Sequence, residues 1–224
     1  LRKIFGYAKV LKLYDGENPA VWQDNLEHLL PKSKDIAKVK HFSALEWEKL
    51  PPFFKNLWHH DEISAEALKF LILTASRTGE VLGATRDEFD LDKAIWCLPP
   101  ERMKAKVEHR IPLSENALLV IENILRKHNR PHIFTHLRNG EPLSNNAMRL
   151  LLRRNFKNKD ITVHGFRSTF REWAAIKTTY RSDIIEFALA HQLKDRVKAA
   201  YLRTDFLEER KGLMKDWGEY ALCA

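Results

Sequence analysis

The chain has 224 residues, 44% of them hydrophobic, enough for one full core with a small second unit beside it. Its 38 lysines and arginines outweigh 30 acidic residues to leave a net charge of +8, which favours a polyanion (DNA, RNA or an anionic membrane surface) over acidic or neutral partners. No run approaches the roughly 18 apolar residues of a membrane span, no signal-peptide pattern opens the chain, and two distant cysteines, Cys97 and Cys223, make no disulfide framework, so a reducing cytoplasm and no membrane partner are expected.

The chain begins at Leu1 rather than Met, inside an amphipathic pattern, and is read as a fragment. Residues 1–30 are expected to be helical, with Asn18 and Pro19 as cap and first helical position ahead of Val21, Trp22 and Leu26. Residues 31–42, PKSKDIAKVKHF, carry four lysines and little periodicity, which reads as a linker: either a solvated connector or a basic strap including Lys38 and Lys40. Ser43 followed by Glu46 signals a capping box for a helix through about Trp58, and residues 64–75 a more buried helix. Three β-like runs at 88–91, 94–98 and 107–113 predict a small antiparallel sheet. Helical spacing then returns over 114–127, 144–154, 163–176, 182–190, 195–203 and 205–219, each behind a Ser or Asp cap or a near equivalent, Ser114 and Ser144 among them. The expected architecture is mainly α with a small three-stranded antiparallel sheet.

Several residues stand where chemistry could be done. His164 and Arg167 in VHGFRST lie one turn apart on a helix face and can address one anion; a bland surface pair has the same spacing. Arg77 in SRTGE falls between a buried helix and a short one, with Glu80 placed to orient its guanidinium; a helix-capping arginine would look alike. His191 closes an apolar helix, and Tyr201 follows ten residues later among Arg196, Lys198 and Arg203, where a packed aromatic is the alternative. His132 and His136 lack the carboxylate or cysteine company of a metal site, and no GxxxxGK[ST] loop or paired-metal acidic cluster is present, so neither metal nor other cofactor is expected.

The order of these residues is more informative than any one of them. An arginine in RxGE, a lysine in a sheet hairpin, HxxR, a histidine and then a tyrosine, in VHGFRST and LAHQLKDRVKAAYLRTDFLEER, resembles the tyrosine recombinase, or phage integrase, family over residues 43–210, with wording similar to integrases of prophages and genomic islands. The resemblance implies that Arg77 and Arg167 clamp a phosphate, that His164 and His191 are the site histidines, that Glu80 supports Arg77, and that Tyr201 is the nucleophile. It also implies a hairpin lysine eight residues before Pro112, which selects Lys104, with Lys106 as the alternative. Residues 1–42 become the end of a core-binding helical domain with a basic linker. Residues 43–224 become the catalytic domain, whose C-terminal oligomerisation tail packs in a neighbouring subunit or on its own.

The activity so implied is cleavage and rejoining of double-stranded DNA at attachment sites through a 3′-phosphotyrosyl intermediate, by a tetramer, with accessory DNA-bending or excision factors, in the nucleoid. A remnant that binds DNA without cutting it, and a type IB topoisomerase-like action on one duplex, are the other readings. Further DNA contact is expected from Lys38, Lys40, Arg149, Arg153, Arg154, Lys157 and Lys159, unless these form only a solvated face. The chain departs from many members in having Ala75 where they carry glycine, and in lacking most of the core-binding domain.

Overall fold

A computed structural model describes residues 1–31, 43–156, 161–191 and 205–223 of the chain. Two compact units divide it, Leu1–His41 and Phe42–Ala224.

In the first unit, helix α1 covers Arg2–Val10 and no residue of it is buried. The expected helix does not run on to residue 30: beyond α1 the described chain turns irregularly, with one 3₁₀ turn at Leu26–His28. Asn18 is not a helix cap. Its side chain accepts from Ala20 N at 3.0 Å and donates to Arg2 O at 2.8 Å, a local turn that competes with helix.

The second unit is built around α3 (Ile63–Thr74), which follows α2 (Leu50–Trp58). Because α3 is apolar on all sides, it is buried on all sides. Its two ionisable residues offset each other: Lys69 Nζ lies 3.1 Å from Glu66 and donates to His60 O at 2.6 Å. A 3₁₀ turn at Trp47–Lys49 leads into α2, and Ser43 caps nothing. The Ser43 carbonyl instead accepts from Thr162 N at 3.1 Å, so a tertiary contact takes the segment that the capping signal claimed.

After α3 come α4 (Thr78–Leu82) and the strands β1 (Phe89–Asp90), β2 (Ile95–Leu98) and β3 (His109–Pro112), antiparallel in the order β1-β2-β3 with Trp96 opposite Ile111. The sheet joins the core through aromatic contact: Trp96 stacks on Phe89 at 5.6 Å and meets Phe70 of α3 at 5.1 Å. Helix α5 (Glu115–Lys127) is capped by Ser114 as its sequence predicts. Helix α6 (Ala147–Asn155) starts three residues after the expected Ser144, whose carbonyl closes a turn with Ala147 N. Helices α7 (Gly165–Lys177) and α8 (Ser182–Ala188) follow, and the helix expected at 195–203 lies outside the described residues.

The last helix, α9 (Leu207–Leu222), packs within its own unit, with Leu213, Met214, Trp217 and Ala221 buried and Trp217 Nε1 donating to Ile72 O at 2.7 Å. Among the described residues no helix is long and apolar enough to cross a membrane.

Candidate active site

The site begins where α3 stops. Ala75 adopts the left-handed conformation (φ 49°), which ends the helix and turns the chain so that Arg77 precedes α4. Glu80, buried in the first turn of α4, accepts from Arg77 N at 2.7 Å with one carboxylate oxygen and from Arg77 Nη1 at 2.6 Å with the other. The helix N-terminus favours that negative charge. Arg77 is thereby fixed at both ends of its side chain, and its Nη2 reaches Ala190 O at 3.2 Å.

Arg167 arrives from α7. Gly165, two residues earlier, lets the start of α7 press against residues 43 and 44: a Cβ there would lie 2.9 Å from Ala44 Cα. The buried guanidinium of Arg167 donates to Ala75 O, donates to Leu189 O at 2.6 Å, and lies 3.3 Å from His191 Nε2. Leu189 O also receives Arg77 Nη2 at 3.4 Å, so both arginines meet at the carbonyl end of α8, where the helix dipole favours cations.

Burial, and after it the neighbouring Arg77 charge, brings the Arg167 pKa down to about 10, still cationic near neutrality. Two guanidiniums held together against the Glu80 carboxylate, with the nearby Glu186 already paired to Arg171, leave a positive excess that an anion would relieve. The Nε of Arg167 is buried and has no hydrogen-bond partner among the described residues.

The histidines gather at the same place. His164 stands at the N-cap of α7; its partial burial, then Arg167, Arg77 and His191, hold its pKa below the usual value, so the neutral ring prevails near pH 7. His191 follows α8 and approaches Arg167. Lys104 is exposed on the β2–β3 hairpin and takes no part in this hydrogen-bonded cluster. The root of that hairpin is tied to the site, because Arg102 donates to the Glu80 carbonyl and pairs with Glu88. Lys106, the other candidate, is occupied within its own turn, donating to Glu101 O at 3.3 Å.

A model of the phage integrase family matches residues 45–208. The chain belongs to the phage integrase family. It is 32% identical over 155 residues to prophage integrase IntA of Escherichia coli strain K12, covering 68% of this chain and 37% of that protein. It is 29% identical over 202 residues to the integrase of Enterobacteria phage P4, covering 82% and 46%. The chain therefore spans less than half the length of these relatives. Its fold is similar to that of a lambda integrase tetramer bound to a Holliday junction, with a TM-score of 0.60 at 17% identity, over 91% of this chain and 57% of that one.

Of the positions that the phage integrase resemblance singles out, Arg77, Glu80, Arg167, His164 and His191 come together although 114 residues separate the first from the last. Tyr201 lies outside the described residues, as do Lys38, Lys40, Lys157 and Lys159. Arg149 and Arg153 line a cavity of about 170 Å³ with Thr78, the residue after Arg77, whereas Arg154 opens onto a separate groove with Ile63, Leu137 and Leu150.

Two groups near the site have no counterpart in the sequence expectations. His109, at the start of β3, is driven to a pKa of about 4, chiefly by burial and then by the Arg210 charge, with Arg77 and Arg167 adding to it. Asp205 accepts from Arg110 Nε at 2.9 Å and from Arg210 Nη2 at 2.9 Å, and Arg210 also donates to Arg110 O at 2.6 Å. This fastens the chain four residues beyond Tyr201 to β3. No spacing rule marks either residue, since His109 answers to Arg210, Arg77 and Arg167, and Asp205 ties to Arg110 of β3, all distant in sequence.

Proposed function

We propose that this chain is the strand-exchanging part of a site-specific DNA recombinase, acting on double-stranded attachment sites to integrate or excise a prophage-like element. The observation that carries the reading is the convergence of Arg77 and Arg167 on one carbonyl, with His164 and His191 beside them and a surplus of positive charge. A phosphodiester resists nucleophiles because its oxygens are negative, and two guanidiniums neutralise them as charge grows in the transition state.

Tyr201 attacks phosphorus and becomes joined to the DNA 3′ phosphate. An unperturbed tyrosine hydroxyl has a pKa of about 10 and keeps its proton near neutrality, so it passes that proton to a site histidine as it attacks, and the departing 5′ oxygen takes a proton from Lys104. One diester replaces another, so rejoining needs no nucleotide hydrolysis. Arg149 and Arg153 extend the cationic surface from Thr78 along the duplex. The functional assembly is a tetramer bridging two duplexes in the nucleoid, with accessory DNA-bending or excision factors as further partners.

The test is incubation with nicked duplexes carrying candidate attachment sites, in EDTA, followed by denaturing electrophoresis. A protein–DNA band that persists without metal and is lost in Tyr201→Phe supports the reading. DNA binding with no covalent band, in this chain and in a chain extended to the length of its relatives, overturns it.

A further inference from the structure

We propose that Glu186, braced by Arg171, is a positioning residue that sets the tautomer of His191, placing the ring proton on Nδ1 and leaving Nε2 bare toward the catalytic arginine Arg167. The proposal rests on the recombinase reading for its role in the reaction, but not for its geometry.

Glu186 Oε2 lies 2.6 Å from His191 Nδ1, and the His191 amide donates to the Glu186 carbonyl at 3.0 Å, so one residue holds both the backbone and the ring. A carboxylate can only accept, which puts the proton on Nδ1. At the other side of the ring, Nε2 lies 3.3 Å from Arg167 Nη2, which can only donate, and this calls for a bare Nε2. The two neighbours thus demand the same tautomer independently.

The second Glu186 oxygen accepts from Arg171 Nε at 2.6 Å. Arg167 and Arg171 are four residues apart on α7 and therefore on one face, so α7 holds the end of α8 once through Leu189 O and once through Glu186. The result is an unbroken chain, Arg171–Glu186–His191–Arg167, running from an exposed guanidinium to a buried one. Burial pushes the Glu186 carboxyl up, but hydrogen bonds from His191 and Arg171 outweigh it and leave the pKa below the usual value, so the group is ionised wherever the enzyme would work.

An imidazole backed by a carboxylate at Nδ1 offers a lone pair at Nε2, and the carboxylate stabilises the imidazolium formed when that lone pair takes a proton. In the cleavage step Arg167 turns to the phosphate, its hydrogen bond to Nε2 gives way, and the freed lone pair takes the proton that leaves the Tyr201 hydroxyl as its oxygen bonds to phosphorus, while Lys104 protonates the departing 5′ oxygen. Without Glu186 the ring can turn over or change tautomer and present N–H instead.

The test uses the whole chain labelled with ¹⁵N-histidine at pH 8, with His191→Gln to identify the His191 signals. The expected spectrum has a protonated Nδ1 and a bare Nε2; in Glu186→Gln that state gives way to a mixture or to the opposite tautomer. On nicked duplex, Glu186→Gln should form the covalent adduct about 10- to 100-fold more slowly, within what general acid–base groups contribute, while DNA affinity stays within about twofold. Glutamine is isosteric, the backbone bond to His191 is untouched and the carboxylate is partly exposed, so the unfolding midpoint should fall by no more than about 4 °C. A wild-type ring protonated at Nε2, or a tautomer and rate unchanged in Glu186→Gln, overturns the proposal. If the wild type makes no Tyr201-dependent adduct, the recombinase reading fails, and the nitrogen spectra still decide the tautomer assignment.

Discussion

Replacing Glu80 by glutamine removes one charge from the centre of the site while keeping its shape. Both carboxylate oxygens are in use, one on Arg77 N at 2.7 Å and one on Arg77 Nη1 at 2.6 Å. Glutamine keeps one acceptor and turns an NH₂ toward a donor, so one charge-assisted bond, worth roughly 1.5–3 kcal/mol, becomes a repulsive contact. Relief from burying a carboxylate offsets part of this, leaving a net loss of about 1–2 kcal/mol, or about 2–8 °C in Tm for a unit of this size. Arg77, left with one bond to residue 80 and the longer contacts of Nη2 to Leu189 O and Ala190 O, should be misplaced at the phosphate, and a loss of about 1.4–2.7 kcal/mol in the transition state corresponds to about 10- to 100-fold in rate. DNA affinity at low salt should not weaken, because net charge rises from +8 to +9. The assay is single-turnover adduct formation on nicked duplex at saturating protein, with a thermal melt and a DNA titration alongside. Adduct formation within twofold of wild type, at unchanged Tm, would refute the idea that Glu80 holds Arg77 in its working position.

Ala75→Gly should raise stability by roughly 0.5–1 kcal/mol in urea unfolding, because alanine at φ 49° is strained and glycine is not. His109 has its pKa lowered in the fold to about 4, so its contribution is complete above about 6.5 and is lost as pH falls from there through about 4; His109→Gln should flatten that loss, which amounts to about 2–3 kcal/mol, in unfolding curves taken between pH 7 and 4.5. Asp205→Asn leaves the buried Arg210 without its carboxylate and should cost about 1–3 kcal/mol in thermal or urea unfolding; adduct formation should slow as well, since the chain beyond Tyr201 loses its anchor on β3.

Sequence by itself determined the elements whose signals are repeated many times over: the nearly uniformly apolar α3, the three short β-like runs between polar turns, and the amphipathic α5 and α7. It also singled out Arg77, His164, Arg167 and His191, which stand in motifs whose order carries information that no single residue does, and which the fold brings together. Signals that rest on one hydrogen bond fared worse. Ser43 and Ser144 read as caps, yet one lends its carbonyl to Thr162 and the other closes a turn, since a single local bond worth about 1 kcal/mol yields easily to tertiary contacts.

Only the tertiary structure decided that Arg77 and Arg167 share the Leu189 carbonyl, that His109 lies among their charges, and that Glu186 and Arg171 stand behind His191. The reason is physical: the pattern along a chain records which face of an element is buried, but which charged tips meet across two helices depends on how those helices end and cross. Here that was set by Ala75 turning left-handed and by Gly165 allowing α7 to close against residues 43 and 44.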